Sequence, residues 1–222
     1  MSRRGYSRRA FMAQGAGAAG AIVAAKTVLL SDERLEASAF SADAPGDRVR
    51  FGMIGVGMQG SGLLDNAIQL PGVACVAACD LYDGRHTLAR EIAGPAIRTT
   101  RRYQELLDDK GIDCIVAAVP DHWHRRLVVD AVKAGKDIYI EKPMSHSAAD
   151  GIAMVAAAKE TGRIVQVGSQ RVSSVICTKA KDMIAKGTIG DLTLVEASLG
   201  RNDPTGAWEY PPPPDLSPQN LD

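Results

Sequence analysis

Only 4 of the 222 residues are cysteine, and none falls in a Cys-x-x-Cys or Cys/His ligand spacing. That pattern speaks against both a disulfide framework and a zinc site. Cys75, Cys79 and Cys114 sit in apolar runs and Cys177 in a helical pattern, so all four read as buried free thiols. Cys75 and Cys79 are an even number of residues apart, which places them on one face of a strand. An excess of charge of one sign is missing too: 26 Lys and Arg balance 26 Asp and Glu, with no basic stripe. Nothing draws the chain to nucleic acid. Aromatic residues make up only 5%, while alanine and glycine are plentiful. A run of about twenty apolar residues, the length a membrane span requires, is also absent. The nearest candidate, residues 11–25, contains Gln14 and several glycines and stops at Lys26.

What the chain does carry is a glycine-rich turn. Arg50–Gly60 reads RFGMIGVGMQG, an apolar strand running into Gly55-x-Gly57-x-x-Gly60 with a helical pattern behind it. Gly55 allows the tight turn, Gly57 lets backbone approach a pyrophosphate, and Gly60 lets helix and strand pack closely. The helix start at Met58 and Gln59 offers unpaired N–H groups and partial positive charge to phosphates. The same spacing also arises in ordinary strand–turn–helix units, so the following run decides between them. Val73–Cys79 (VACVAAC) delivers Asp80, twenty residues beyond Gly60, where a carboxylate accepts from the adenosine ribose hydroxyls. Leu81, Tyr82 and Asp83 follow with no arginine, so a 2′-phosphate would meet negative charge. The cofactor reading is therefore NAD rather than NADP. Tyr82, Arg85 and Trp123 either border the adenine or pack as ordinary surface residues, and surface packing is the better reading of each.

The first forty residues differ from the rest. Ser7-Arg8-Arg9-Ala10-Phe11-Met12 is a twin-arginine pattern, followed by the mild Ala/Gly run and the small residues Ala37-Ser38-Ala39. Charged, apolar and small-residue regions in that order resemble a twin-arginine export signal. The expectation is a periplasmic protein whose residues 1–47 are signal and linker, with no stable membrane insertion after processing. Because such signals carry folded proteins, the cofactor would cross already bound and be recycled on the enzyme.

From residue 48 to 168 strand and helix patterns alternate. Helical spacing marks Leu63, Leu64, Ala67 and Ile68, then residues 85–93, 103–108 and 122–134, the last with Leu127, Val128, Ala131 and Val132 inward. Asp121 is placed to cap that last helix. Residues 147–161 form another helix, with Ile152, Val155 and Ala156 inward. Strands are expected over 97–99, 112–119, 137–140 and 164–167. The run IDCIVAAV at 112–119 has the continuous apolar character of a parallel sheet. This alternation predicts an α/β fold with a parallel, doubly wound sheet over residues 48–168 and a ligand beyond the strand C-termini. Gly55, Asp80, Pro120, Glu141 and Lys142 all fall on that rim. Residues 169–222 read as the start of a second domain, with a helix bearing Ile176, Ala180, Met183 and Ile184 and a strand over 192–199.

Glu141-Lys142-Pro143 follows a buried strand onto the rim. An ammonium there can hydrogen-bond a substrate hydroxyl and help move its proton, or it can be a solvated lysine paired with its neighbour. Val119-Pro120-Asp121-His122-Trp123-His124 ends the 112–119 strand; His124 either touches the ligand or caps and packs. Two histidines two apart imply no metal.

Together Gly55-Val-Gly57-Met-Gln-Gly60, Asp80, Pro120–His124 and above all Glu141-Lys142-Pro143 resemble the glucose–fructose oxidoreductase/inositol dehydrogenase (Gfo/Idh/MocA) family, in order and spacing over residues 48–200. The resemblance implies an N-terminal Rossmann domain binding NAD(P). It also implies a second, mainly antiparallel α/β domain that supplies substrate contacts and homo-oligomer interfaces. By that likeness Lys142 is the catalytic lysine beside the nicotinamide, and the Pro120–His124 turn lines the cofactor with Glu141. The lysine's partner aspartate and histidine belong to the second domain and have no counterpart in this chain.

Three functions remain in competition. One is an exported NAD-dependent oxidoreductase acting on a secondary alcohol of a sugar or cyclitol. Another is an NAD-dependent glycoside hydrolase that works by transient oxidation and elimination. The third is a truncated, non-catalytic dinucleotide-binding module.

Overall fold

Short β-branched and alanine-rich runs, each closed by Gly, Pro or a polar residue, become parallel strands in the computed structural model, which describes residues 48–198, 200 and 212–219. The expected export signal, residues 1–47, lies outside the described residues. The strands are β1 (Val49–Ile54), β2 (Val73–Cys79), β3 (Arg98–Thr100), β4 (Cys114–Ala117), β5 (Asp137–Glu141) and β6 (Val165–Gly168). They pair in the order β3-β2-β1-β4-β5-β6, every pair parallel. Parallel neighbours need crossovers, supplied by α1 (Met58–Ile68), α2 (Asp83–Ala93), α3 (Tyr103–Asp108), α4 (His124–Lys133) and α5 (Ala148–Thr161). Since β1 lies between β2 and β4, the strand order reverses there, and the crevice opens at the β1/β4 C-termini.

Two apolar clusters sandwich the sheet. On one face Leu106, Leu127, Val128, Ala131, Val132, Met154 and Ala157 from α3, α4 and α5 cover Ile54, Ile115, Ile138 and Ile140. On the other, Leu63, Leu64 and Ala89 from α1 and α2 cover Phe51, Met53 and Cys114. The α4 face is the expected one. The α5 face is not: Gly151, Met154 and Ala157 are buried, whereas Ile152 is 72% exposed and Val155 and Ala156 also face outward. An alanine-rich helix has little apolar contrast between its faces, and a Cβ at Gly151 would run into Met144 and Ser145, so the missing side chain lets that loop lie close to the helix.

The β2 strand departs from simple alternation. The β1/β2 register shifts between Phe51 and Gly52, where Cys75 and then Ala77 are the paired residues, leaving Val76 unpaired as a bulge. One extra residue reverses side-chain parity. Cys75 therefore packs with one cluster and Cys79 with the other, so the expectation of a shared face is corrected. None of the four cysteines is in a disulfide, but Cys177 is exposed and Cys75 only half-buried, so the expected burial does not hold for these two.

Past β6 the described residues form a 3-10 helix (Gln170–Ser173), α6 (Val175–Ala185) and irregular chain, with no antiparallel strand pair among them. Ile176, Ala180, Met183 and Ile184 of α6 are exposed. The strand expected over 192–199 is not formed: residues 192–198 are irregular, with Leu194 and Val195 outward. Apolar alternation does not hold a strand without a neighbour's backbone, and no described strand pairs with it. Among the described residues no helix is long and apolar enough to cross a membrane.

Candidate dinucleotide site

The turn after β1 is tied on both sides. Gly55 N–H donates to the Cys79 carbonyl at 2.8 Å, and Ala118 N–H donates to the Ile54 carbonyl at 2.9 Å. Gly55 has φ +82°, and a Cβ there would run into the Ala118 carbonyl, so glycine is required on both counts. At Gly60 a Cβ would strike the Gly55 carbonyl and approach the Met53 methyl to 2.9 Å. That is the close helix–strand contact expected of the third glycine. Gly57 is different: nothing lies within 4 Å of the place a Cβ would occupy. The space in front of it is open.

Gly57 is also the N-cap of α1, and no side chain caps that helix. By contrast Ser147 caps α5 and Ser174 caps α6, each accepting a backbone N–H. The first turn of α1, with Met58 64% exposed, thus presents its N–H groups uncapped to open space above the sheet. Uncapped donors at a positive helix end suit an anion. This cradle fits the pyrophosphate of a dinucleotide.

Asp80 stands at the end of β2 and is already engaged. Its Oδ2 accepts the Val56 N–H at 2.7 Å and its Oδ1 accepts the Tyr82 N–H at 3.0 Å. The carboxylate therefore fixes the glycine turn as well as its own, while each oxygen keeps a lone pair for a ribose hydroxyl. The flanking turn is acidic: Asp83 pairs with Arg101 at 2.9 Å, which holds its carboxyl below the usual range.

Glu141 ends β5 and is 4% exposed. Its Oε1 accepts from the Gln59 amide at 3.0 Å and, more loosely, from Tyr139 at 3.4 Å and Gln170 at 3.5 Å, and its Oε2 accepts the Lys142 N–H at 3.1 Å. Burial, followed by the charge of Glu141, pushes the Tyr139 phenol well above its ordinary value. Lys142 itself is exposed, joined to Pro143 by a cis peptide. Its ammonium has no ion pair among the described residues, and the alternative of a neighbour-paired lysine is not what is seen. The Glu141 carboxylate turns inward, away from it.

His124 is 1% exposed, with Nδ1 2.7 Å from the Pro143 carbonyl and Nε2 3.0 Å from the Val119 carbonyl. The ring spans two rim loops, each nitrogen facing a backbone carbonyl, and whichever nitrogen carries the proton donates to its own. It supports the Pro120 and Lys142 segments from behind instead of entering the crevice. The preceding turn is a 3-10 helix, Asp121–Trp123, with no side-chain cap, so the capping role expected of Asp121 is not observed.

Tyr139 and Gln170 are partners of Glu141 that sequence reasoning missed. Tyr139, two residues before Glu141 on one strand, shares its face and was within reach of a period-two reading; nothing local marks Gln170. Lys136, a buried lysine, donates to the Asp109 and Ile112 carbonyls at 2.6 and 2.7 Å. It belongs to the opposite rim, before β5. A cleft of about 650 Å³ runs along the α4–α5 seam between Arg125, Arg126 and Glu160, outside the strand-end crevice. Among the described residues no cluster of His, Cys, Asp or Glu could hold a metal.

Comparison with known proteins agrees with this geometry. Residues 49–169 match the Gfo/Idh/MocA family model, described as an oxidoreductase family with an NAD-binding Rossmann fold. Inositol 2-dehydrogenase 1 of Saccharopolyspora erythraea is 34% identical over 149 residues, 66% of this chain and 44% of that protein. A glycosyl hydrolase family 109 protein of Parabacteroides distasonis is 25% identical over 199 residues, 84% of this chain and 43% of that protein. The crystal structure of myo-inositol 2-dehydrogenase from Lactobacillus plantarum superposes with a TM-score of 0.60 at 27% identity, over 64% of this chain and 42% of that one. The chain thus spans less than half the length of the curated relatives it matches. With its glycine cradle, its Asp80 and its parallel sheet of order 3-2-1-4-5-6, the chain belongs to the Gfo/Idh/MocA oxidoreductase family and carries that family's NAD-binding Rossmann fold.

Proposed function

We propose that this chain is the cofactor-binding part of an exported, NAD-dependent oxidoreductase that removes hydride from a secondary alcohol of a sugar or cyclitol. The observation that carries the reading is the 3.0 Å bond between Gln59 and Glu141. It joins the first turn of α1, between Gly57 and Gly60, to the residue before Lys142, so cradle and lysine occupy one rim. In this reading Gly55, Gly57 and Gly60, with the N–H groups of Met58 and Gln59, hold the pyrophosphate. Asp80 takes the adenosine ribose. Pro120 walls the nicotinamide end together with Glu141, and His124 supports both loops from behind. Bound NAD supplies the hydride acceptor. Lys142 hydrogen-bonds the substrate hydroxyl and helps to move its proton as hydride leaves carbon; its donors are not engaged by a carboxylate. The substrate class follows the inositol dehydrogenase relatives, and export follows the twin-arginine pattern.

A glycoside hydrolase using transient oxidation is the second reading. What favours it is that the family 109 relative aligns over more of this chain than the inositol dehydrogenase does. Incubating the chain with NAD and either myo-inositol or aryl glycosides separates the two, by NADH absorbance in one case and released aglycone in the other. Lys142→Ala is expected to abolish either signal while calorimetry finds NAD affinity within about twofold of wild type, because an exposed side chain away from the cradle adds little binding energy. Equal loss of affinity and turnover would make Lys142 a binding residue only. Silence in both assays with NAD bound would leave a dinucleotide-binding module.

A further inference from the structure

Tyr82 follows Asp80 by two residues and is held at three points. Its backbone N–H donates to Asp80 Oδ1 at 3.0 Å. Its ring lies against the Gly84 backbone, where a Cβ would meet ring atoms at 2.5 Å, so the absence of a side chain at 84 gives the ring its seat. Its hydroxyl donates to the carboxylate of Asp215, 133 residues away. Asp215 sits in residues 212–219, a segment opened by Pro212, Pro213 and Pro214 and turned by a bond from Leu216 N–H to the Pro213 carbonyl at 3.0 Å. Proline fixes φ along such a run and limits the freedom lost on docking. A tyrosine on a mobile turn would spend its time in several rotamers; this one is fixed at backbone, ring and hydroxyl.

We propose that Asp215 is a positioning residue for the adenosine end of the site: it pins the Tyr82 ring beside Asp80 and makes that ring the outer wall against which the adenine packs. The inference rests on the dinucleotide reading above and deepens it. An aromatic face next to the ribose-binding carboxylate offers stacking that any purine can use, and immobilising the ring before binding removes an entropic cost from the complex. The segment 212–219 then acts on cofactor retention through Tyr82, without touching phosphate or nicotinamide.

The test uses the full chain with ADP-ribose and NAD as probes, measured by calorimetry, by the rate of NAD dissociation and by thermal melting. Tyr82→Ala is expected to weaken both ligands about tenfold, the loss of one base–aromatic contact. Asp215→Ala and Tyr82→Phe each remove the tether while keeping the ring; each is expected to weaken ADP-ribose about threefold to fivefold and to speed NAD release by the same factor. The double variant Tyr82→Phe/Asp215→Ala is expected to be no worse than either single change, with every melting temperature near wild type. If wild type binds ADP-ribose and all variants match it within twofold, the proposal fails. Weakening that tracks a falling melting temperature would also overturn it, since a general structural role would explain that result. A wild-type chain binding neither ligand removes this inference together with the dinucleotide reading, whereas binding indifferent to Tyr82 removes this inference alone.

Discussion

Gln59 and Glu141 are 82 residues apart in sequence, and a 3.0 Å hydrogen bond joins their side chains above the C-terminal ends of β1 and β5. The carboxylate is buried, and its other Oε1 donors stand at 3.4 and 3.5 Å, where a hydrogen bond is weak. Gln59 is thus its principal side-chain partner, and the phosphate turn is coupled to the strand that carries Lys142. Gln59→Ala is expected to cost about 1.5–3 kcal/mol of stability, the range for a hydrogen bond to a charged group. In a double-mutant cycle with Glu141→Gln the two changes should couple by about 0.5–3 kcal/mol. Denaturant titration of the four proteins measures it, and strictly additive losses would mean that the two loops are held independently.

Asp80 has two tasks, and removing it should show both. Its carboxylate accepts the Val56 N–H inside the glycine turn and the Tyr82 N–H on its own turn. Asp80→Ala is therefore expected to weaken NAD by about 1–3 kcal/mol and to lower stability by a similar amount, since charge-assisted bonds to backbone are lost in each case. Asp80→Asn keeps one acceptor oxygen and should retain more of the stability than of the affinity. Calorimetry and melting on the pair check this; an alanine variant with unchanged NAD affinity would remove Asp80 from the site.

Two thiols, Cys75 and Cys79, should make the fold lose stability at alkaline pH. Burial, opposed in part by hydrogen bonds to backbone, pushes Cys75 up to about 12; burial, reinforced by Asp80 and Glu105, pushes Cys79 up to about 12. The unfolded chain loses those protons near the ordinary thiol value of about 8.5. Between that value and about 12 the unfolded state therefore binds fewer protons than the folded one. Stability falls as pH rises wherever that holds. The thiol contribution should be intact below pH about 8.5 and decline through the window up to about 12. Cys75→Ser/Cys79→Ala should flatten that decline in melting temperature. At neutral pH a thiol reagent should modify exposed Cys177 quickly, half-buried Cys75 more slowly, and buried Cys79 and Cys114 only on unfolding.

Much of this arrangement was legible because it is written in local spacing. The strand–glycine–helix run of residues 50–60, the continuous apolar character of β4 and the amphipathic face of α4 each contain the information that places them. The features that escaped are non-local or nearly degenerate. The bulge at Val76 arises from pairing between β1 and β2 and leaves no mark on VACVAAC, yet it moves Cys75 to the opposite cluster from Cys79. In α5 the alanines make all faces similar, so the contact with α4, not periodicity, selects Met154. His124 could not be assigned from its position at a helix start, because its partners are carbonyls on two loops 24 residues apart in sequence, Val119 and Pro143. The residues on the rim were found; what each side chain binds was not, since that depends on which loops the sheet brings together.

The three glycines of the turn should separate when each is replaced by alanine, because the structure gives them unlike surroundings. At Gly60 a Cβ would overlap the Gly55 carbonyl, a backbone atom that cannot swing aside. Gly60→Ala must lift α1 from β1, and overpacking of this kind costs about 1–3 kcal/mol. Gly55→Ala combines the same kind of clash with φ +82° and is expected to be at least as damaging. Gly57 has φ −70° and open space where a Cβ would go. Alanine fits there without strain, and by restricting the unfolded chain it should leave stability unchanged or raise it by about 0.4–1 kcal/mol. Its methyl group would nevertheless occupy the path by which a pyrophosphate reaches the uncapped N–H groups of α1. Gly57→Ala is therefore expected to melt at or slightly above the wild-type temperature while binding NAD about tenfold or more weakly, a loss of about 1.4 kcal/mol. Melting curves and calorimetry on the three variants decide it: an alanine at 57 that binds NAD as tightly as glycine would show that the phosphates do not approach the backbone there.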